Sequence, residues 1–320
     1  MSYGGAEIRR YYGFMPAAVL ANPDISQIAP RVVSLPVSVI VPVRNEARNL
    51  PRCLESLREA GEVYVVDSCS SDNTVELARS FSSKVVRFQY QGGWPKKRQW
   101  AMDTLTLAYE WILLLDADEA LTPELADEIK QAIRNPSVDG YFVALQMCFL
   151  NRTLRHGGAR FYKLALFRRG KGRFECRLQD QDNSMCDMEV HEHVIVDGAT
   201  AKLRNPLIHH NVESLSRYIE KHNEYSNWES RALLEQKSDF DVLPPSLFGS
   251  QAQRRRWLKK KLFAVPGSPV ALFCYRYFFR LGFLDGIPGL IYCCFQATQL
   301  FHTKAKIYEW RMNQKRSSRT

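Results

Sequence analysis

The sequence predicts an α/β fold, a mostly parallel sheet flanked by helices, and three observations carry that expectation. Short apolar runs alternate with segments of helical spacing along the first 120 residues, as strand–helix–strand units with right-handed crossovers do. The run from Trp111 to Leu115 is apolar without a break, the mark of a strand buried on both faces. Polar residues, many of them acids, fall just past the ends of these runs, where open sheets of this kind bind ligands.

Residues 1–35 have weak periodicity and several turn residues, and are expected to form a loosely docked arm; they contain no continuous apolar core of the kind a signal peptide needs. Residues 37–43 give the first strand. Leu50, Leu54 and Leu57 recur at helical spacing, so a helix is expected to about Ala60, stopped by Gly61. A second strand over 62–67 ends in a Ser- and Asp-rich turn that can cap the next helix, which closes near Phe81. Residues 84–88 form a third strand, Gly92-Gly93-Trp94-Pro95 breaks the chain, and 96–109 read as a helix leading to the strand at Trp111. Thr122 and Pro123 begin another helix, Thr as N-cap and Pro in the first turn. Strands are expected over 139–149, 161–169 and 188–196, and a helix carrying Leu215, Ile219, His222 and Trp228 reaches about Gln236. Leu243-Pro244-Pro245 reads as a linker, dividing the chain into the arm 1–35, a catalytic domain 36–240 and a C-terminal extension 241–320.

The net charge of +10 is not evenly spread. Residues 251–320 carry 14 Lys and Arg against Asp285 and Glu309, an excess of +12, so the first 250 residues are at −2. Eight cysteines are scattered without a Cys-x-x-Cys pair, which favours reduced thiols over a disulfide framework or a zinc site. No Gly-x-Gly-x-x-Gly follows the first strand, which argues against a dinucleotide-binding enzyme.

The chemistry concentrates at Asp116 and Asp118. Two carboxylates at i, i+2 on extended backbone face one way, and paired hard oxygen ligands suit Mg2+ or Mn2+ completed by waters and a substrate's phosphates. The plainer reading is a strand end whose acids cap the next helix. Asp72 fits a cap as well as it fits a ligand contact, and Lys96 and Arg98 fit a solvated basic helix end as well as a diphosphate clamp.

The segments 39–46, 65–74 and 116–118 resemble, in order and spacing, glycosyltransferase family 2 with its GT-A fold, over about residues 36–240. Gly93 to Gln99, Val190-His191-Glu192 and Ile208-His209-His210 are similar to the lipopolysaccharide-core β-glucosyltransferase branch. The resemblance implies a nucleotide-sugar cleft lined by Pro42, Asn45, Glu46, Asp67 and Asp116, a metal on Asp118 with Asp116, diphosphate contacts from Lys96 and Arg98, and Glu192 as general base. Asp180 and Asp182 are rival bases, and His191, His193, His209 and His210 are alternative metal ligands.

The tail mixes 254–261, rich in Arg and Lys, with aromatic residues from Phe263 onward, and its most apolar stretch is interrupted by Pro288, Gly289, Gln296 and Gln299. Too broken to span a bilayer, it fits peripheral attachment to an anionic membrane on the cytoplasmic face rather than nucleic-acid binding; a helical pair packed on the catalytic domain is the plainer reading. The expectation is an inverting, metal-dependent glycosyltransferase that moves glucose from UDP-glucose to a membrane-associated glycan or lipid. The alternatives are a polyprenyl-phosphate glycosyltransferase and a basic, non-enzymatic membrane- or nucleic-acid-binding scaffold.

Overall fold

The computed structural model describes residues 34–81, 83–176, 187, 189, 192–210, 214–234, 246–249, 253–254, 257–258, 261 and 265–317. Nearly all of the expected arm, the Pro-rich linker, Asp180, Asp182 and His191 lie outside the described residues. In chain order the elements are β1 (Leu35–Val43), α1 (Leu50–Ser56), β2 (Ala60–Asp67), α2 (Thr74–Ser80), β3 (Lys84–Arg87), α3 (Lys97–Thr104), β4 (Trp111–Leu114), β5 (Glu119–Ala120) and α4 (Pro123–Ala132). They continue with β6 (Gly140–Phe149), β7 (Arg152–Thr153), β8 (Arg160–Arg168), β9 (Gly172–Phe174), β10 (Val194–Val196), β11 (Thr200–His210) and α5 (Leu215–Leu234). The C-terminal elements are α6 (Ser268–Cys274) and α7 (Gly286–Ser317).

This is an α/β architecture, a central sheet flanked by helices. The main sheet runs β3-β2-β1-β4-β8-β6-β11-β5, with β7 paired on β6. β3, β2, β1 and β4 are parallel, β8 is inserted antiparallel between β4 and β6, and β11 returns parallel to β6. Ile40 stands opposite Leu114 and Val43 opposite Asp67, so β1, β2 and β4 end on one rim. Alternate residues feed two cores, as a period of two requires. Val39, Val41 and Leu113 pack under Leu50 and Leu54 of α1 and Leu125 and Ile129 of α4, while Ile40, Val66 and Leu114 pack on the opposite face with Ala101 of α3 and Phe88.

Three expectations are corrected in detail. The first helix is short, and β2 already begins at Ala60: Gly61 lies inside the strand, where an added Cβ would come within 2.2 Å of the Tyr109 ring. The glycine admits a crossing side chain rather than ending a helix. The third helix ends at Thr104 rather than Tyr109. Of the strand expected over 188–196, only Val194–Val196 is strand among the described residues, paired with β9. The long strand β11 was not expected at all. Its Lys202, Arg204 and Asn205 break the apolar alternation, and the register with β6 shifts before Pro206, which cannot donate to a ladder.

In the C-terminal region α6 runs into a π-turn over Tyr275–Phe279, a 3-10 turn over Gly282–Asp285, and then α7. Among the described residues no single helix is long and apolar enough to cross a membrane; the arms Ser268–Phe279 and Gly282–Arg316, bent by 71°, reach that length and apolarity only together. α7 packs on α5, with Phe295 beside Tyr218 at 5.0 Å between ring centres. The bend is held by a close approach of two glycines: a Cβ on Gly289 would lie 2.2 Å from the Gly282 carbonyl oxygen. Backbone cannot yield as a side-chain tip can, so Gly289→Ala is expected to cost about 1–3 kcal/mol and to lower the melting temperature. An unchanged melting curve would mean the two turns do not touch.

Candidate active site

The rim is built from the ends of β1, β2, β4 and β11. Asn45 follows β1 in the left-handed region (φ 55°), where Asn is tolerated. Its backbone N–H donates to Ser70 Oγ at 2.8 Å, and its Oδ1 accepts from the Ser71 N–H at 2.8 Å. Glu46 N–H donates to Thr74 Oγ1 at 2.9 Å and Ala47 N–H to Asp72 at 3.2 Å. Asp72 also accepts from the Thr74 N–H at 3.1 Å, so it braces the start of α2 as a cap does. Asp67 is buried and accepts from the backbone N–H and the hydroxyl of Ser70. The loops after β1 and β2 are thus zipped into one wall, with buried Pro42 behind it opposite Val66.

Across from that wall stand the β4 acids. Asp116 accepts from Arg98 of α3 and lies 3.6 Å from Lys163 of β8. Lys163 donates to both oxygens of the buried Glu119, at 2.6 and 2.5 Å. Asp118 faces His209 of β11, Oδ2 to Nε2 at 3.5 Å, and its carbonyl accepts from the His210 N–H at 2.7 Å. Lys221 of α5 pairs with Glu46 at 3.0 Å.

Burial penalises every charge here, and the partners decide who keeps it. Partial burial raises Asp116, but Arg98 and Lys163 outweigh it and hold its carboxyl well below the usual range. Asp118 is pushed up, first by burial and then by the Asp116 and Glu46 carboxylates, against the pull of His209 and Lys221. Burial disfavours the His209 imidazolium, but Asp118 and Glu119 lift it to about 9. His210, facing the other way on the strand, is lowered to about 4 by burial and by Arg52. Asp118 is therefore the rim acid that no Lys or Arg pairs among the described residues; its near partner is His209, whose buried Nδ1 lies 3.6 Å from Glu119, beyond hydrogen-bond reach. Among the described residues no three His, Cys, Asp or Glu side chains are grouped to hold an ion by themselves. The Asp118 carboxylate fits a cation whose remaining ligands come from a substrate's phosphates and water, and His209 could join it only after giving up its proton.

The other expected site residues sit differently. Lys96 is wholly buried, its Nζ 2.8 Å from Glu192 and 4.6 Å above the Trp228 ring, and the Glu192 side chain is equally shut off from solvent. Lys97 pairs with Asp187 at 3.1 Å and donates to the Val43 carbonyl at 2.9 Å. Glu189 accepts from the backbone N–H groups of Arg98 and Gln99, capping the start of α3. Three consecutive cations are thereby matched to three acids of 187–192. The expectation of Lys96 at the rim is corrected to an interior ion pair. His193 turns away from the rim, to Glu175 at 3.0 Å. Lys163, Lys221 and Glu119 went unread as site residues. Lys163 lies on a strand and Lys221 on a helix with nothing local to mark them; Glu119 directly follows Asp118 and was visible as a third acid.

Residues 38–194 match the family described as Glycosyl transferase family 2. The chain is 28% identical over 296 residues to the lipopolysaccharide core biosynthesis glycosyltransferase LpsC of Rhizobium meliloti (strain 1021), covering 87% of this chain and 94% of that protein. It is 27% identical over 207 residues to the uncharacterized glycosyltransferase RC0292 of Rickettsia conorii, 62% of this chain and 71% of that one. Among solved structures, a mannosyltransferase of Pyrobaculum calidifontis in complex with GDP-Man and Mn2+ aligns at TM-score 0.47 and 16% identity, over 89% of this chain and 91% of that one.

A folded value of about 9 for His209, against 6.5 ordinarily, has a definite sign. The group binds its proton more tightly folded than unfolded, so its stabilisation is complete below about 6.5 and is lost as pH rises through about 9. In chelator, His209→Gln should lower the melting temperature at pH 6, and the gap to the parent should close by pH 10. A gap constant across that range would mean His209 is neutral in the fold.

Proposed function

We propose that this chain is a glycosyltransferase of family 2 that transfers glucose from UDP-glucose, with inversion, to a glycan or glycolipid acceptor in lipopolysaccharide or related cell-surface polysaccharide synthesis. The observation that carries the proposal is Asp118: a partly buried carboxylate with no Lys or Arg partner among the described residues, beside His209, on the same rim as Asp67 and Asn45. On this reading a nucleotide would lie along the wall of the zipped loops, with Asp67 toward the base or ribose and Pro42, Asn45 and Glu46 beside it. The choice of acceptor is supported by the name of the Rhizobium relative alone.

Asp118, with Asp116 and His209 close by, would hold Mg2+ or Mn2+, which when bound offsets the charge of the departing diphosphate. Asp116 is already neutralised by Arg98 and Lys163, so its part is to position these cations beside the leaving group. Arg98 presents a planar fork suited to phosphate oxygens, provided it exchanges Asp116 for them. Glu192 is the proposed base, taking the proton of the acceptor hydroxyl. Its ion pair with Lys96 must open for that step. That same burial favours a second reading, transfer to a polyprenyl phosphate, whose acceptor oxygen is already deprotonated and needs no base.

Asp118→Asn is expected to abolish transfer, by on the order of a thousandfold or more, and to remove the metal-dependent thermal stabilisation by UDP; full activity of the variant in chelator would reject the metal. Glu192→Gln separates the two readings. A loss of ~10²–10⁴-fold in kcat with UDP-glucose affinity intact supports the base. Full transfer to polyprenyl phosphate by this variant, with none to a sugar hydroxyl by the parent, supports the second reading.

A further inference from the structure

We propose that the bend between α6 and α7 is a wedge that inserts into the surface of an anionic bilayer and turns the catalytic rim toward it. The bend carries a cluster of exposed apolar side chains, Phe278, Phe279, Leu281, Phe283, Leu284 and Ile287, with the exposed Arg280 among them; Phe279 is 80% and Ile287 72% exposed. Side chains of this size are normally covered, and an apolar patch so concentrated marks an interaction site. Its only charged neighbours between residues 262 and 303 are Arg276, Arg280 and Asp285. Two of these face inward. Arg276 donates to the Gly157 carbonyl at 2.9 Å and lies against the Tyr292 ring, and Asp285 is buried.

The occupant follows from charge. Before the bend stand Arg254, Arg255, Arg256, Lys259, Lys260 and Lys261; after it come Lys304, Lys306, Arg311, Lys315, Arg316 and Arg319, with Glu309 the single acid. An apolar wedge in a stretch of sequence with so large a basic excess matches acyl chains below anionic headgroups. A second copy of this chain matches it poorly, because it carries the same basic excess.

The wedge is also tied to the rim. Asp285 accepts from the Arg155 N–H at 3.2 Å and the His156 N–H at 2.8 Å, with His156 Nδ1 at 3.1 Å, and Gly157 N–H donates to the Arg280 carbonyl at 2.8 Å. That clamped loop leads directly into β8, which carries Lys163. On the other side Phe149, Tyr218 and Tyr292 pack edge to face, and Tyr218 stands one turn before Lys221 on α5. Cys148, next to Phe149, is in register with His210, so this end of β6 lies on the rim that holds Asp118. A bilayer gripping the wedge would hold the rim beside acceptors lying in that surface. This deepens the proposed function by naming where its acceptor comes from, while the contact itself is read without any transfer.

The test is flotation of the full chain with vesicles of phosphatidylethanolamine and phosphatidylglycerol, and with pure phosphatidylcholine. The parent is expected to float with the anionic vesicles, less so in high salt. Phe279→Asp with Ile287→Asp should reduce partition about tenfold or more, leaving the melting temperature and its shift by UDP unchanged. Should the aspartates lower the melting temperature, Phe278→Ser with Phe279→Ser must give the same loss. The proposal is overturned if the parent does not float with anionic vesicles, if both double variants float as well as the parent, or if light scattering finds a lipid-free dimer that the variants abolish.

Discussion

Everything on the rim depends on the burial of the acids that end β4. Glu119 is buried and Asp116 and Asp118 are partly buried at the carboxyl edge of the sheet, where lost solvation leaves each carboxylate in need of a partner. The chain answers from four separate elements: Arg98 from α3, Lys163 from β8, His209 from β11 and Lys221 from α5. The antiparallel insertion of β8 beside β4 is what brings Lys163 to Glu119, and the return of β11 beside β6 brings His209 to Asp118. Asp116 and Glu119 are matched, and Asp118 is left raised. A cation that arrives with a phosphate-bearing ligand completes this arrangement.

A second charge-matched set lies behind the first. The start of α3 presents Lys96, Lys97 and Arg98, and the acids Glu192, Asp187 and Glu189 meet them in turn. Glu189 also satisfies the free N–H groups at the helix start. Arg98 belongs to both sets, through Asp116 and Glu189, so the position of the 187–192 segment and the state of the rim are mechanically joined. A ligand that draws Arg98 from Asp116 would loosen that joint, which is one route to freeing Glu192 from Lys96.

Much of this was legible in the sequence. The alternation of β1 to β4 with helices, the Thr122 cap and the convergence of Asn45, Asp67, Asp116 and Asp118 follow from local pattern, because strands buried on both faces and capped helices leave local signals. Lys163, Lys221 and the pairing of β11 did not, because the features that place them are non-local: β11 reads as polar loop until β6 pairs with it. Gly61 misled for a related reason, since the ring of Tyr109 that requires it is 48 residues away in sequence. Lys96 misled because a lysine following a Gly-Pro loop looks solvated, and only the fold supplies Glu192 and Trp228 to bury it.

The central claim is the proposal that Asp118, which no Lys or Arg pairs among the described residues, takes a divalent cation that arrives together with a nucleotide diphosphate. Calorimetric titration of UDP into the full chain, with Mn2+ and then in chelator, tests it most directly. The account predicts a saturable site with Mn2+ and at least tenfold weaker binding in chelator, roughly the 1.4 kcal/mol or more that one such interaction contributes. Equal affinity in both conditions, or no binding in either, would contradict it.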